Sequence, residues 1–418
     1  MINRLRGTIL FDNIALLSLS LVVNVLGFGF QFIMARLLLP PAYAEMFAVL
    51  SLLAIITVPG LALNTLTIKM TGEYWVHGRG EELWQWIVRA GLVVSLIGLF
   101  LALVLSLFSR WFADLLHLDT VYSIIVAGVA IVATFLVIVV KGSLAGIHSF
   151  VYLGVVNVIE TAGRLVSGVV FVMLGFAAAG AVSATVVSAV AAILIGGWIA
   201  KRSVKQTPAF ENMHIRPLPN LSAQLQILII AFALAAMFNI DILFVKQRFS
   251  EFEAAEYAAI ALLGRTLFFA ASPVSVVMLP HCISAFRDGR SLIPVLTVSL
   301  LVIGLILAFI MLILVIFPDR LFDIVFGGRY SVDYAMLLTY AIAGSMLALF
   351  SALSQLHVGI NNLSVWRIVT VLTFSMIFSM VFFSSSRQDI ATSVAVASSL
   401  VVAYLTWETV RVLRSSNR

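Results

Sequence analysis

The sequence predicts an all-α integral membrane protein of about twelve transmembrane helices in two six-helix bundles. Hydrophobic residues make up 62% of its 418 residues and charged residues 11%, whereas a soluble domain carries about 25% charge. The mean hydropathy is +1.14. Twelve apolar stretches are each long enough to cross a bilayer core, which takes roughly 20 residues. A polar segment near the middle of the chain divides these stretches into two equal sets.

Helices are the expected spanning form, because the stretches lack the short alternating pattern of membrane β-strands. The first stretch follows Arg4 and Arg6 and is longer than the apolar region of a signal peptide, so we interpret it as a retained span. Three prolines, Pro59, Pro273 and Pro280, are expected to bend their helices. The stretches lie near 12–35, 43–67, 87–109, 120–140, 152–174, 178–199, 223–247, 254–280, 292–316, 333–356, 364–384 and 389–410.

The basic residues predict the orientation of the chain. With a cytoplasmic amino terminus, sixteen of the 25 Lys and Arg residues fall on the inner side and seven on the outer side. Cytoplasmic segments carry the excess of Lys and Arg, so both termini are expected in the cytoplasm. The sequence thus predicts an amino-terminal bundle at 1–200, a cytoplasmic linker at 201–221 and a carboxy-terminal bundle at 222–418.

A polar stripe runs along the first span. At about 100° per residue, Asn13, Ser20, Asn24, Gly27 and Gln31 share one face of the helix. Amides facing hydrocarbon would leave donors and acceptors unpaired at a cost of several kcal/mol each. The stripe therefore either packs against another helix or lines a water-filled cavity that binds substrate.

The fifth span contains three polar residues on one face, Asn157, Glu160 and Arg164. Glu160 and Arg164 have the i, i+4 spacing and order that favour an ion pair. Ionisable residues within a span face the protein interior or a cavity. They form either a self-neutralising structural pair or an anion site, since guanidinium groups suit phosphate oxygens.

Arg265 lies within the eighth span with no acidic residue inside one helical turn. Its partner must come from another helix, from water or from a ligand. Asp241 in the seventh span is the obvious carboxylate for such a pair. Both residues are candidates for substrate binding, and Asp241 is also a candidate for binding a coupling ion. A structural pair is the alternative.

Other polar residues lie near the predicted inner ends of the spans. Lys69, Arg89 and Lys141 are expected to extend toward lipid head groups, with substrate binding as the alternative. His281 and His357 are expected at the membrane interface, with a pH-sensing role as the alternative.

Several classes of function are disfavoured by missing signals. Cys282 is the single cysteine, which excludes an intrachain disulfide framework. The sequence has neither a phosphate-binding G-x-x-x-x-G-K-[ST] loop nor an H-E-x-x-H metal motif. Basic residues are scattered over loops, so we expect no nucleic-acid partner. We therefore expect neither an enzyme nor a bound cofactor.

Four segments of the chain carry a family resemblance. They are ARLLLPPAYAEMFAVLSL at 35–52, KGSLAGIHSFVYLGVVNVIETAGRL at 141–165, FSEFEAAEYAAIALLGR at 249–265 and FPDRLFDIVFGGRYS at 317–331. These segments resemble oligosaccharide flippases and polysaccharide exporters of the MATE-like superfamily. Ala44 and Met46 stand where the first family motif has glycine and phenylalanine.

The resemblance implies two six-helix bundles around a central cavity that opens alternately inward and outward. It implies an undecaprenyl-pyrophosphate-linked oligosaccharide as substrate, such as an O-antigen repeat unit of lipopolysaccharide, in the bacterial inner membrane. Intramembrane arginines would meet the pyrophosphate and amides the sugar hydroxyls. Membrane lipids and other polysaccharide-assembly membrane proteins are the implied partners. A drug or cation antiporter of the same superfamily and a membrane glycosyltransferase or polymerase are the alternatives, and the coupling ion stays open.

Overall fold

A computed structural model describes residues 2–118, 120–204 and 221–416. Within these ranges it describes the side chains from Ser18 onward, except at positions 221, 280, 287, 415 and 416. The described residues form α-helices joined by short turns and contain no β-strand. The chain divides into two compact units, Met1–Pro219 and Asn220–Arg418. Lys201 and Arg202, which the sequence assigned to the linker, lie instead in the last turn of a helix that continues to Val204. The rest of the predicted linker, 205–220, lies outside the described residues.

The first unit contains eight helices in its described part, one of them the short α5. They are α1 (Ile2–Leu37), α2 (Pro40–Ile56), α3 (Gly60–Val76), α4 (Gly80–Leu107), α5 (Ser109–Leu115), α6 (Tyr122–Gly146), α7 (Phe150–Met173) and α8 (Ala177–Val204).

The second unit contains seven helices in its described part, with a single 3₁₀ turn at Leu363–Val365 before the sixth of them. They are α9 (Leu221–Arg248), α10 (Glu251–Arg287), α11 (Ile293–Ile316), α12 (Pro318–Phe326), α13 (Tyr334–Gly359), α14 (Trp366–Phe382) and α15 (Arg387–Ser416).

The predicted fold class is confirmed. Eleven helices of the described chain are long and apolar enough to cross a membrane, and α2 with α3 brings the number to twelve if the pair is one span. Each of the twelve predicted stretches coincides largely with helix, including the two that carry charges, and the stretch at 43–67 is divided between α2 and α3. The protein is therefore a multi-pass membrane protein.

The second predicted span is broken near Pro59, as the sequence suggested. Helix α2 ends at Ile56, α3 begins at Gly60, and their axes are bent by 48°. Proline has no N–H for the helical hydrogen-bond ladder, and its ring crowds the carbonyl four residues earlier. By contrast, α10 is continuous through positions 273 and 280.

Small residues bring helices of each unit close together. In the first unit α3 packs on α6, where a Cβ at Gly146 would lie 2.7 Å from the Ile68 carbonyl oxygen. In the second unit α10 packs on α13, where a Cβ at Gly264 would lie 2.8 Å from the Tyr340 carbonyl oxygen. Close approach through small residues is typical of membrane helix packing. It fixes the depth at which the polar side chains of neighbouring helices meet.

Gly264→Ala is expected to lower the free energy of unfolding by about 1–3 kcal/mol, the usual cost of overpacking. The added methyl group would meet backbone atoms of α13, so the helices must separate. Thermal unfolding in detergent measures the effect.

The control is Gly304→Ala in α11, where an added Cβ meets no atom within 4 Å. Alanine is favoured over glycine in a helix, so this variant should be neutral or slightly more stable. Equal stability of both variants would contradict the close packing of α10 on α13.

Candidate functional site

A cluster of charged side chains lies at the middle of α7. Arg164 Nη2 lies 3.8 Å from Glu160 Oε1, one helical turn away. The other carboxylate oxygen of Glu160 forms an ion pair with Lys141 Nζ on α6. The Glu160–Arg164 pair predicted from the spacing is confirmed. The prediction that Lys141 extends to lipid head groups is wrong, because its ammonium group turns inward along α6 to the carboxylate.

The cluster of Lys141, Glu160 and Arg164 carries more positive than negative charge. One carboxylate faces two basic groups, and the side chains of Lys141, Glu160 and Arg164 are 25%, 14% and 33% exposed. Arg164 Nε is buried and has no hydrogen-bond partner among the described residues. The cluster therefore retains a positive charge and an unsatisfied donor, which an anionic group could complete.

Asn157 extends the same face of α7 one turn before Glu160 and is half-buried. Helix α1 packs along α7, and the contacts define their register. Leu19 lies against Gly154, whereas Phe30 and Met34 lie against Gly168. The two helices therefore run in the same direction along this contact.

This register places two amides of the predicted stripe at or near the depth of the charged cluster. Asn24 lies at the level of Glu160, and Gln31 lies about two turns further along α1. Both residues are half-buried. Gln31 Oε1 is buried without a hydrogen-bond partner among the described residues, so it can accept a further donor. The side chain of Asn13 lies outside the described residues.

The second unit contains a closed network around Asp241 of α9. Arg265 Nη2 of α10 lies 3.1 Å from Asp241 Oδ1. The hydroxyl groups of Tyr257, at 3.0 Å, and Tyr340 both donate to Asp241 Oδ2. The guanidinium group of Arg265 also lies over the ring of Phe238, 4.7 Å from its centroid. The predicted partnership of Arg265 with Asp241 is confirmed.

The polar groups of this network bond to one another. The Asp241 side chain is fully buried and that of Arg265 is 5% exposed. Both oxygens of the Asp241 carboxylate accept hydrogen bonds, and the positive charge of Arg265 compensates its negative charge within the unit. Sequence reasoning missed Tyr257 and Tyr340, because the contact between α9, α10 and α13 has no signature in residue spacing.

The remaining sequence candidates separate into three environments. Lys69 pairs with Glu73 at 3.8 Å, and Arg89 and His281 are exposed. His357 is fully buried by neighbouring residues in the last turn of α13.

No protein-family model matches the sequence, and no curated protein matches it by sequence. Solved structures do match. An inward-facing multidrug resistance MATE family transporter of the MOP superfamily is 15% identical, with a TM-score of 0.69 over 97% of this chain and 98% of that one. The lipid II flippase MurJ, in an inward closed conformation, is 16% identical, with a TM-score of 0.69 over 96% of this chain and 87% of that one.

A MOP superfamily transporter from Pyrococcus furiosus, whose binding pocket is described as having reverse polarity, is 14% identical. Its TM-score is 0.64 over 97% of this chain and 95% of that one. These matches cover both units and nearly all of each chain. At such low identity they establish the fold and leave the substrate open. The chain therefore has the fold of the MOP superfamily transporters.

Proposed function

We propose that this protein is a transporter that flips an undecaprenyl-pyrophosphate-linked oligosaccharide across the bacterial cytoplasmic membrane by alternating access, with both termini in the cytoplasm. The observation that carries the proposal is the net positive cluster of Lys141, Glu160 and Arg164 at mid-span. Charges at this depth are costly and mark substrate pathways in membrane proteins.

The chemistry of the cluster suits a pyrophosphate. Arginine presents planar donors that match phosphate oxygens, and lysine adds a compact positive charge. Two unit charges 4 Å apart interact by about 4 kcal/mol near a protein surface. Glu160 therefore holds both cations in the absence of substrate and cannot neutralise both. A pyrophosphate, which carries more than one negative charge, would neutralise the remaining positive charge of the cluster.

The amides of α1 and α7 suit the sugar portion of the substrate. Asn24, Gln31 and Asn157 flank the charged cluster and are half-buried. Each amide offers both donors and an acceptor, as sugar hydroxyls require. Arg265 and Asp241, which the sequence also suggested for binding, are assigned instead to holding α9, α10 and α13 together.

Two other functions fit the site less well. A carrier of cationic drugs needs uncompensated acid, but Glu160 and Asp241 are each paired with a basic side chain. A membrane glycosyltransferase or polymerase needs an extramembrane catalytic segment. The longest connection between helices that is fully described is 327–333, which is too short for one. The match to a lipid II flippase adds support for a lipid-linked substrate.

Reconstitution tests the proposal. The full chain is placed in liposomes with a fluorescent undecaprenyl-pyrophosphate-linked oligosaccharide in one leaflet, and a membrane-impermeant quencher reports its arrival in the other. We expect translocation well above that of protein-free liposomes. Translocation at the protein-free rate, together with export of a cationic dye by the same preparation, would replace the flippase by the antiporter.

A further inference from the structure

A second polar cluster lies in the second unit, where the end of α13 meets α15. His357, in the last turn of α13, is fully buried. Leu405, Glu408 and Thr409 face it from α15, and Asn362 faces it from the turn that follows α13. Glu408 is 8% exposed. The titration of a histidine depends on its neighbours, and a nearby carboxylate favours the protonated ring.

The contacts define which ring nitrogen carries the hydrogen. Thr409 Oγ1 donates to the Leu405 carbonyl oxygen at 2.7 Å, so it can only accept from the ring. His357 Nε2 lies 3.2 Å from Thr409 Oγ1 and 3.3 Å from the same carbonyl oxygen. Both neighbours are acceptors, so Nε2 carries the hydrogen. Nδ1 lies 3.4 Å from Asn362 Nδ2 and accepts from it.

Asn362 connects the ring to the carboxylate. Its amide nitrogen also donates to Glu408 Oε1 at 3.3 Å. Arg411 Nη1 lies 3.4 Å from the other oxygen, Glu408 Oε2, and its side chain is 68% exposed. Glu408 is thus the charged group that faces the ring among the described residues. From α10, the buried Cys282 packs beside Gly359, and the turn contributes the uncharged Asn362.

A proton added at His357 Nδ1 would make this nitrogen a donor. It would then face the N–H of the Asn362 amide, which is also a donor, so the two could not form a hydrogen bond. Rotation of the Asn362 amide removes this conflict by turning Oδ1 to the new N–H. Ser364 Oγ, which donates to Asn362 Oδ1 at 2.9 Å, can accept from the rotated amide. The rotation withdraws a donor from Glu408 Oε1, and the carboxylate then balances the positive charge of the imidazolium directly.

We propose that His357, Asn362 and Glu408 form a proton-binding site that links α13 to α15. One proton binds the lone pair of Nδ1, and the rotated amide accepts from the ring through Oδ1 and gives up its bond to Glu408. Proton uptake therefore changes how α15 is held against α13. The proposal names the proton as a ligand of the second unit and does not depend on which substrate is carried.

Nitrogen NMR of the full chain in liposomes tests this site. The six histidines are labelled with ¹⁵N, and the His357 signal is assigned from its loss in His357→Gln. We expect a neutral Nε2–H ring at about pH 8 and a doubly protonated ring at about pH 5. In Glu408→Gln, which removes the balancing charge and keeps the shape, the ring should remain neutral throughout this range.

Two results would overturn the proposal: a wild-type His357 that stays neutral down to about pH 5, or a Glu408→Gln variant that titrates like the wild type. Thermal unfolding verifies that each variant is folded. Glu82→Gln is the matched control, because Glu82 is 59% exposed and pairs with Arg79 on the surface. The measurement uses no substrate, so failure of this site and failure of the flippase proposal are separate outcomes.

Discussion

Alanine at position 164 is expected to reduce translocation of the pyrophosphate-linked oligosaccharide by about 10- to 150-fold. A hydrogen bond to a charged group contributes about 1.5–3 kcal/mol, and each 1.36 kcal/mol changes a rate tenfold. In the proposed site Arg164 would supply such bonds from a side chain that is about two-thirds buried. Quenching of the fluorescent substrate in liposomes measures the rate. The translocation rate of Arg164→Lys should fall between those of the wild type and Arg164→Ala, because lysine retains the charge and loses the planar donors.

Two further variants distinguish an effect on substrate binding from a general effect on the protein. Arg110→Ala removes an exposed arginine of α5 and should leave the rate unchanged. Glu160→Gln removes the resident counter-charge of Lys141 and Arg164, so a lipid with a pyrophosphate head and no sugar should bind more tightly. Weaker binding by Glu160→Gln would mean that Glu160 positions the cations and does not compete with substrate. An unchanged rate in folded Arg164→Ala would remove the site assignment.

Asp241→Ala is expected to lower the free energy of unfolding by about 3–5 kcal/mol, the usual cost of breaking a buried ion pair. The variant leaves Arg265, 4% exposed, without its carboxylate and two tyrosine hydroxyls without their acceptor. Thermal unfolding in detergent measures the loss. The double variant Asp241→Ala with Arg265→Met should recover part of the stability, because no uncompensated charge remains.

The surface pair of Arg79 and Glu82 provides the comparison. Its atoms lie 3.6 Å apart, with side chains 56% and 59% exposed. Exposed pairs contribute about 0–1 kcal/mol, so Glu82→Ala should change stability little. A loss of similar size in Asp241→Ala and Glu82→Ala would contradict a buried network that stabilises the second unit.

Hydropathy predicted the spans well, because each helix must bury its backbone in lipid whatever its neighbours are. The break at Pro59 followed from proline chemistry, and the Glu160–Arg164 pair followed from helical spacing. The start of α10 at Glu251 was placed three residues late. The Ser250–Glu253 capping box, with reciprocal bonds of 3.4 and 3.1 Å, is the signal that would have located it.

The contacts between helices could not be predicted from the sequence, with one exception. Asp241 could be matched to Arg265 because an arginine inside a span requires an acidic partner. The inward turn of Lys141 and the convergence of Tyr340 on Asp241 depend on which helix lies beside which. The burial of His357 has the same origin, since it requires α15 to lie against the end of α13.

The Asp241 network also restricts how the second unit can change shape. Its four polar groups come from α9, α10 and α13. If one of these helices slid past another, a buried charge or hydroxyl group would lose its hydrogen-bond partner. These three helices should therefore move together as one rigid block in any change of conformation. The bending needed for that motion must be found in helices outside the block.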